Sequence, residues 1–335
     1  MKYILTLFLL AALTANAQQQ SVSEMQQTAR TLLQKGDFDN ATVMLERARK
    51  QDPTNLELMR DLSYVSYLKR DFAKAMEAGK ELVEHPNADA QAFQLLGLTY
   101  KATAAYKECG KLYRTGLRKF PNSGVLYNEY GELFALENEL DEAITQWEKG
   151  IENDPTYSGN YYNAALYHAR NNNWIRAVLY GELFLNLESY TARTQDVKNQ
   201  LLTAWRNMLT PSTLQQLKNA KATSAFERAV LDQLSKTMQG SKGTGSIDDL
   251  IAVRTKFIEE WMKNDAKTYP FHLFNHQQYL IKQNTFGAYN YWLFSSGADM
   301  YQLWQKQHEK EAADFTAFQQ SRVFKLPAGE YYFSK

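Results

Sequence analysis

His272 and His276 stand four residues apart, a spacing that on a helix puts two imidazoles on one face in the geometry of a zinc pair. Pro270 places a helix start just before them. The residues between, Leu273, Phe274 and Asn275, supply no glutamate where a metalloprotease holds its base, and the surrounding sequence offers no third ligand. Because zinc sites need three or four ligands, the structural reading, two histidines within an aromatic cluster, outweighs a metal site. The adjacent acids Glu259-Glu260 and Asp248-Asp249 point to different faces of a helix and cannot by themselves act as a paired acid and base. Gly240-Ser241-Lys242-Gly243-Thr244-Gly245-Ser246 lacks the ending and the preceding strand that a phosphate-binding loop needs, and reads as a flexible linker. There is no G-x-S-x-G, zincin or nucleotide fingerprint. The sequence thus points away from catalysis and calls for no cofactor and no metal.

The elements that carry these residues are better defined than any chemistry. From Gly124, counted as position 1, the chain places Tyr127 at position 4, Tyr130 and Gly131 at 7 and 8, Phe134 at 11, Ala143 at 20, Trp147 at 24, Gly150 at 27 and Pro155 at 32. That pattern describes two antiparallel helices: small residues where they approach, large ones between them, and a proline that stops the second. Shifting the frame by 34 residues recovers it in units beginning at Val22, Leu56, Ala90, Gly124 and Ser158. Position 8 reads Ala29, Ser63, Gly97, Gly131 and Ala165, and position 20 reads Ala41, Ala75, Cys109, Ala143 and Ala177. Cys109, the single cysteine, can form no internal disulfide and reads as a buried substitute for alanine. Gly and Asx residues mark the bends at Lys35-Gly36-Asp37-Phe38-Asp39, Arg70-Asp71-Phe72, Glu139-Leu140-Asp141-Glu142 and Asn171-Asn172-Asn173-Trp174. Ala102-Thr103-Ala104-Ala105 in the third unit carries no turn signal.

These residues resemble the tetratricopeptide repeat family over residues 22 to 191, about half the chain. The resemblance implies an all-α fold: a right-handed α-solenoid of five hairpins (22–55, 56–89, 90–123, 124–157 and 158–191) followed by a C-terminal helical extension. It also implies a concave groove lined by positions 2, 5, 9, 12 and 13 of each first helix. Carried over, these are Ser23, Gln26, Arg30 and Gln34; Glu57, Arg60, Tyr64 and Tyr67; Gln91, Gln94 and Lys101; Asn128 and Glu132; and Tyr162 and Arg170. Members that grip a partner's C-terminal carboxylate use Lys at position 5 and Asn at 9 of the first repeat, where this chain has Gln26 and Arg30, so that clamp is absent. A polar groove with tyrosines and arginines suits an extended peptide or a partner's surface, and Arg60, Tyr64 and Tyr67, sharing one helix face, are its expected centre.

At the start, Lys2, an apolar run from Ile4 to Leu13 broken only by Thr6, and Ala15-Asn16-Ala17 form a secretory signal with cleavage expected after Ala17. The run is too short to span a hydrocarbon core of about 30 Å, so no membrane insertion is expected after cleavage. The mature chain is expected in the periplasm or outside the cell. Without Lys2 the 38 basic residues become 37, against 37 acidic, and a neutral chain has no electrostatic case for nucleic acid or an anionic membrane.

Residues 192–239 are expected to be capping helices, 240–246 a linker, and 247–335 an aromatic-rich helical region. Ser246-Ile247-Asp248-Asp249 caps a helix with Leu250, Val253, Phe257 and Trp261 on one stripe. Two or three further helix pairs are expected beyond it, with a short hairpin from Arg322 to Phe333. The tail, with Gly287-Ala288-Tyr289-Asn290-Tyr291-Trp292-Leu293, is similar to those of exported tetratricopeptide proteins of Bacteroidetes. Two functions follow as expectations: a non-catalytic exported scaffold that binds a protein or peptide in its groove, within an envelope assembly, or a pocket in the tail, around Asn275 to Trp292, for a small saccharide or peptide fragment. Neither names the partner or an oligomeric state.

Overall fold

The computed structural model describes residues 20–221, 223–239, 245–295, 298–321, 324–327 and 330. The expected signal segment, residues 240–244 of the expected linker and most of the expected C-terminal hairpin lie outside the described residues. Among the described residues there are eighteen helices and no strand. Two compact units make up the chain, Met1–Gly116 and Leu117–Lys335.

Helices α1 (Val22–Gln34) and α2 (Phe38–Gln51) form the first pair, and α3 (Leu56–Leu68) and α4 (Phe72–Glu84) the second. They are followed by α5 (Ala90–Ala102) and α6 (Tyr106–Lys119), then α7 (Gly124–Leu136) and α8 (Leu140–Asn153), then α9 (Ser158–Arg170) and α10 (Trp174–Leu187). Every first helix opens at position 1 of the 34-residue period. Every second helix opens at position 17, always on a large apolar residue. Side chains of Ser21, Asn55, Asp89 and Ser123 accept from the free amides at the starts of α1, α3, α5 and α7. Asp37 and Asp71 do the same for α2 and α4.

Within each pair the bend is made at position 15, where Gly36, Arg70, Ala104, Asn138 and Asn172 take φ values of 77, 62, 55, 62 and 56°. The left-handed residue turns the chain so that the amide at position 16 donates back to the carbonyl at position 11, over 2.8 to 3.0 Å in all five pairs. Gly and Asn reach this conformation cheaply, whereas an ordinary side chain such as that of Arg70 or Ala104 is strained there. The third bend therefore forms without a turn signal because the rest of its hairpin imposes it.

Packing inside a pair depends on position 8 facing position 24. Where position 24 is aromatic, position 8 is glycine: a Cβ on Gly97 would run into the Tyr113 hydroxyl, and one on Gly131 into Trp147 Nε1. Where position 24 is Gly79 or Gly181, position 8 is Ser63 or Ala165. The two positions compensate in volume, as close packing requires. Ala41, Ala75, Cys109, Ala143 and Ala177 at position 20 are all buried, and the Cys109 thiol lies 3.6 Å from the Gly97 carbonyl oxygen. Cys109 thus fills the alanine place expected of it.

Beyond the fifth pair run α11 (Ala192–Met208), α12 (Pro211–Asn219), α13 (Ala225–Met238), α14 (Ile247–Asn264), α15 (His272–Lys282), α16 (Phe286–Leu293), α17 (Ala298–Gln307) and α18 (Glu309–Ser321). One apolar core extends from Ala143 to Leu326, so these helices share their interior with the fourth and fifth pairs. Phe226, Phe257, Trp261, Phe271 and Phe274 pack mostly edge to face, with centroids 4.9 to 6.2 Å apart. α15 and α16 are joined like the repeats, through Asn284 at φ 55°. Counting from that residue, positions 8 and 20 fall on Gln277 and Tyr289, which are large. Both donate to Glu182 Oε1 of α10, over 2.5 and 2.9 Å, and Arg254 of α14 pairs with the same oxygen. Arg254 also bonds Asn290 and lies over the rings of Trp205, Phe286 and Phe294. A carboxylate with almost no exposure thus ties three tail helices to the last repeat.

Four variants have expected outcomes in urea unfolding. Ala104→Gly relieves the left-handed strain and stabilises by about 1 kcal/mol, whereas Gly131→Ala forces Trp147 aside and costs about 1–3 kcal/mol. Arg254→Met leaves the Glu182 charge buried and costs about 3–5 kcal/mol, and adding Glu182→Leu to it restores part of the loss.

Candidate binding cleft

In the first unit the expected groove residues are largely held by their own neighbours. Arg30 sends Nε to Asp61 over 3.0 Å and Nη2 to Glu57 over 3.1 Å, and Gln26 donates to the same Asp61 over 2.7 Å. Arg60 pairs with Glu57 on its own helix and, over 3.0 Å, with Asp89, the cap of α5. The result is a ladder of alternating charge across α1, α3 and the start of α5. Arg60, the expected centre, is only 18% exposed and its guanidinium is spent on two acids. Tyr67 packs on Phe72 at 6.2 Å between ring centres. Tyr64, at 43% exposed, is the open member of that trio. Gln94 and Lys101 lie half-buried on α5.

In the second unit a cleft of about 530 Å³ opens between the fourth and fifth pairs. Three of the expected residues, Glu132, Tyr162 and Arg170, line it. Asn128, expected beside them, is instead buried beneath Glu132: it donates to Glu132 Oε1 over 2.9 Å and accepts from Asn163 over 2.9 Å. Its carbonyl takes the Trp147 indole N–H at 3.3 Å, so its polar groups serve the packing of the wall.

Apart from Asn163 and Asn171, the remaining walls are apolar or aromatic: Ala135, Leu136, Leu140, Trp147, Leu166 and Tyr167. Leu136 and Leu140 are 55% and 43% exposed, a costly state for large aliphatic side chains placed side by side. Ala135, Leu136 and Leu166 occupy groove positions 12, 13 and 9, and so share the face from which the polar candidates were taken. Reading that face for polar and aromatic types passed over them, although their positions alone pointed to the cleft. The Tyr162 hydroxyl donates to Asp196 over 3.2 Å and that of Tyr167 to Asp141 over 2.9 Å. Burial, aided by those carboxylates, pushes both phenols above their ordinary range, so both remain hydrogen-bond donors at neutral pH.

The tail holds a cavity of about 40 Å³ lined by Asn186, Ser189, His276, Tyr289, Phe315, Phe318, Gln319 and Phe324. That volume admits a few waters at most. His272 and His276 meet the Phe324 ring at 5.3 and 5.2 Å between centres, within an aromatic cluster. Among the described residues no three His, Cys, Asp or Glu side chains converge on a point where an ion would sit. Nor is any helix among them long and apolar enough to cross a membrane.

Because the Arg60 pairs are partly exposed, Arg60→Ala is expected to lower stability by about 1 kcal/mol, with the loss shrinking as salt is raised in thermal melts. Tyr64→Ala should leave the melting temperature within the scatter of wild type.

Residues 32–98 match the family model described as tetratricopeptide repeat. No curated protein matches the chain. Among solved structures, MamA is 23% identical, covering 48% of this chain and 94% of its own, with a TM-score of 0.39. TTC0263, a thermophilic TPR protein of Thermus thermophilus, is 17% identical over 55% of this chain and 98% of its own, with a TM-score of 0.45. PilF of Pseudomonas aeruginosa is 18% identical over 63% and 96%, with a TM-score of 0.46. At such TM-scores these likenesses carry no argument about function. Residues 32–98 thus carry the tetratricopeptide repeat, and the same left-handed turn of a 34-residue period recurs in all five hairpins from Val22 to Leu187.

Proposed function

We propose that the chain is an exported, non-catalytic scaffold of the cell envelope whose cleft between the fourth and fifth hairpins takes a segment of a partner protein. The observation that carries this reading is the exposure of Leu136 and Leu140 at the mouth of a cleft floored by Trp147, Tyr162 and Tyr167. An apolar, aromatic-lined recess of that volume is sized for a few side chains of a peptide. Tyrosine and tryptophan are residue types that dominate the energetic centres of interfaces. The signal-like segment ending at Ala17 supports export. The tail bears on the reading in another way: among its described residues the cavity beside His276 and Tyr289 measures about 40 Å³, too small for a saccharide ring, which disfavours the small-ligand alternative.

The test is capture of partners by the mature chain in a periplasmic extract, using chain purified from that compartment, whose first residue is expected to be Gln18. Leu136→Asp should reduce capture about tenfold or more while the melting temperature stays put. Undiminished capture by that variant would remove the cleft from consideration.

A further inference from the structure

The cleft's charges differ in how far they are already committed. Its carboxylates and those on its border are held: Glu132 by Asn128, Asp141 by the Tyr167 hydroxyl, Asp196 by the Tyr162 hydroxyl. Nearby Arg193 is held by Glu188 through Nε at 3.0 Å, and its guanidinium lies over the Tyr162 ring. Arg170, which lines the cleft and is exposed, makes no ion pair among the described residues. A guanidinium beside apolar walls is a ready partner for one carboxylate, since its planar fork matches that group and sheds water more easily than an ammonium.

The register of the two helices places that charge. The bond from Asn163 to Asn128 sets position 6 of α9 against position 5 of α7, so the helices run side by side at matching levels. Arg170 and Leu136 both occupy position 13 and therefore stand at the same height on neighbouring helices. Packed helices lie about 8–10 Å apart, which an extended peptide crosses in about three residues at roughly 3.3 Å each.

Resting on the docking reading above, we propose that the segment taken by the cleft is internal to its protein and presents an apolar side chain to Leu136, Leu140 and Leu166. An aspartate or glutamate two or three residues away then pairs with Arg170. A chain terminus is not the source of that carboxylate. Asn163 and Asn171 each give one amide N–H to Asn128 and to the Tyr167 carbonyl, which fixes those amides on the wall, and among the described residues Arg170 is the only cation lining the cleft, so no second cation converges with it on a terminal carboxylate.

The experiment pans randomised seven-residue segments, embedded at both ends in a carrier protein, on the full mature chain. Enriched segments should pair Leu, Met, Phe or Trp with Asp or Glu at the stated spacing. Synthetic blocked peptides differing only in Glu against Gln are then compared by fluorescence anisotropy. Wild type should favour the Glu peptide about five- to tenfold, and Arg170→Gln should bring the two level without changing the melting temperature. Segments that need Leu136 but ignore the acid, a preference that survives Arg170→Gln, or tighter binding when the carboxylate is moved to a free C-terminus would overturn the proposal and leave the docking reading standing. If every enriched segment binds Leu136→Asp as well as wild type, or none is enriched, both fall.

Discussion

The fold rests on how closely two helices of a pair can approach. A glycine or other small residue at position 8 lets the facing helix bring its position 24 to the backbone, and the Trp147 indole then donates to the Asn128 carbonyl that a Cβ at Gly131 would have screened. Volume is exchanged across that contact, not conserved at either position. The repeat therefore tolerates Leu45, Gly79, Tyr113, Trp147 and Gly181 at one place, with glycine opposite the two aromatic residues and alanine or serine opposite the others. The same demand explains the bends: once the helices must pair tightly, a three-residue connection follows, and Arg70 or Ala104 accepts the left-handed backbone that connection needs.

A helical hairpin leaves one apolar flank open, and the two ends of a run of hairpins must deal with it. After the fifth pair the chain does so with its own tail. The seal is apolar nearly throughout, with two buried carboxylates in it: Glu227 of α13, paired with Arg176 of α10, and Glu182. Glu182 takes hydrogen bonds from Arg254, Gln277 and Tyr289, residues between 72 and 107 places later in the chain. Such a tie adds little net stability over an apolar substitute, because desolvating the charges offsets most of their attraction. It does disfavour every other docking of the tail, since a misplaced helix would leave Glu182 without partners. Burial and the Glu182 charge also push the Tyr289 hydroxyl far above its ordinary range, keeping it a donor.

The surface shows a division of labour among similar residues. Arg30 and Arg60 occupy groove positions, yet their length lets them reach the acids of the next helix, and they bind the first hairpins together. Arg170 occupies an equivalent groove position and pairs with no acid among the described residues. Between it and Glu132 the walls turn apolar, so this stretch of the face can gain by burial where the first hairpins have mostly solvated charge to offer.

The spacing of small and large residues was enough to place the five helix pairs, and turn residues marked four of their bends, because each rests on contacts within one 34-residue unit; the third bend, at Ala104, left no such trace. The all-α character of the tail was legible for the same reason. Its attachment was not: positions 8 and 20 of α15 and α16 hold Gln277 and Tyr289, so the repeat signature is missing, and their reason for being large lies on α10. The groove positions of Glu132, Tyr162 and Arg170 could be counted off the chain. That Arg60 would be consumed by Glu57 and Asp89, that Asn128 would sink beneath its neighbour, and that Leu136 would stay exposed beside Leu140 could not. Which side chain is left free depends on what the adjacent helix presents to it, and that pairing exists only once the helices are packed.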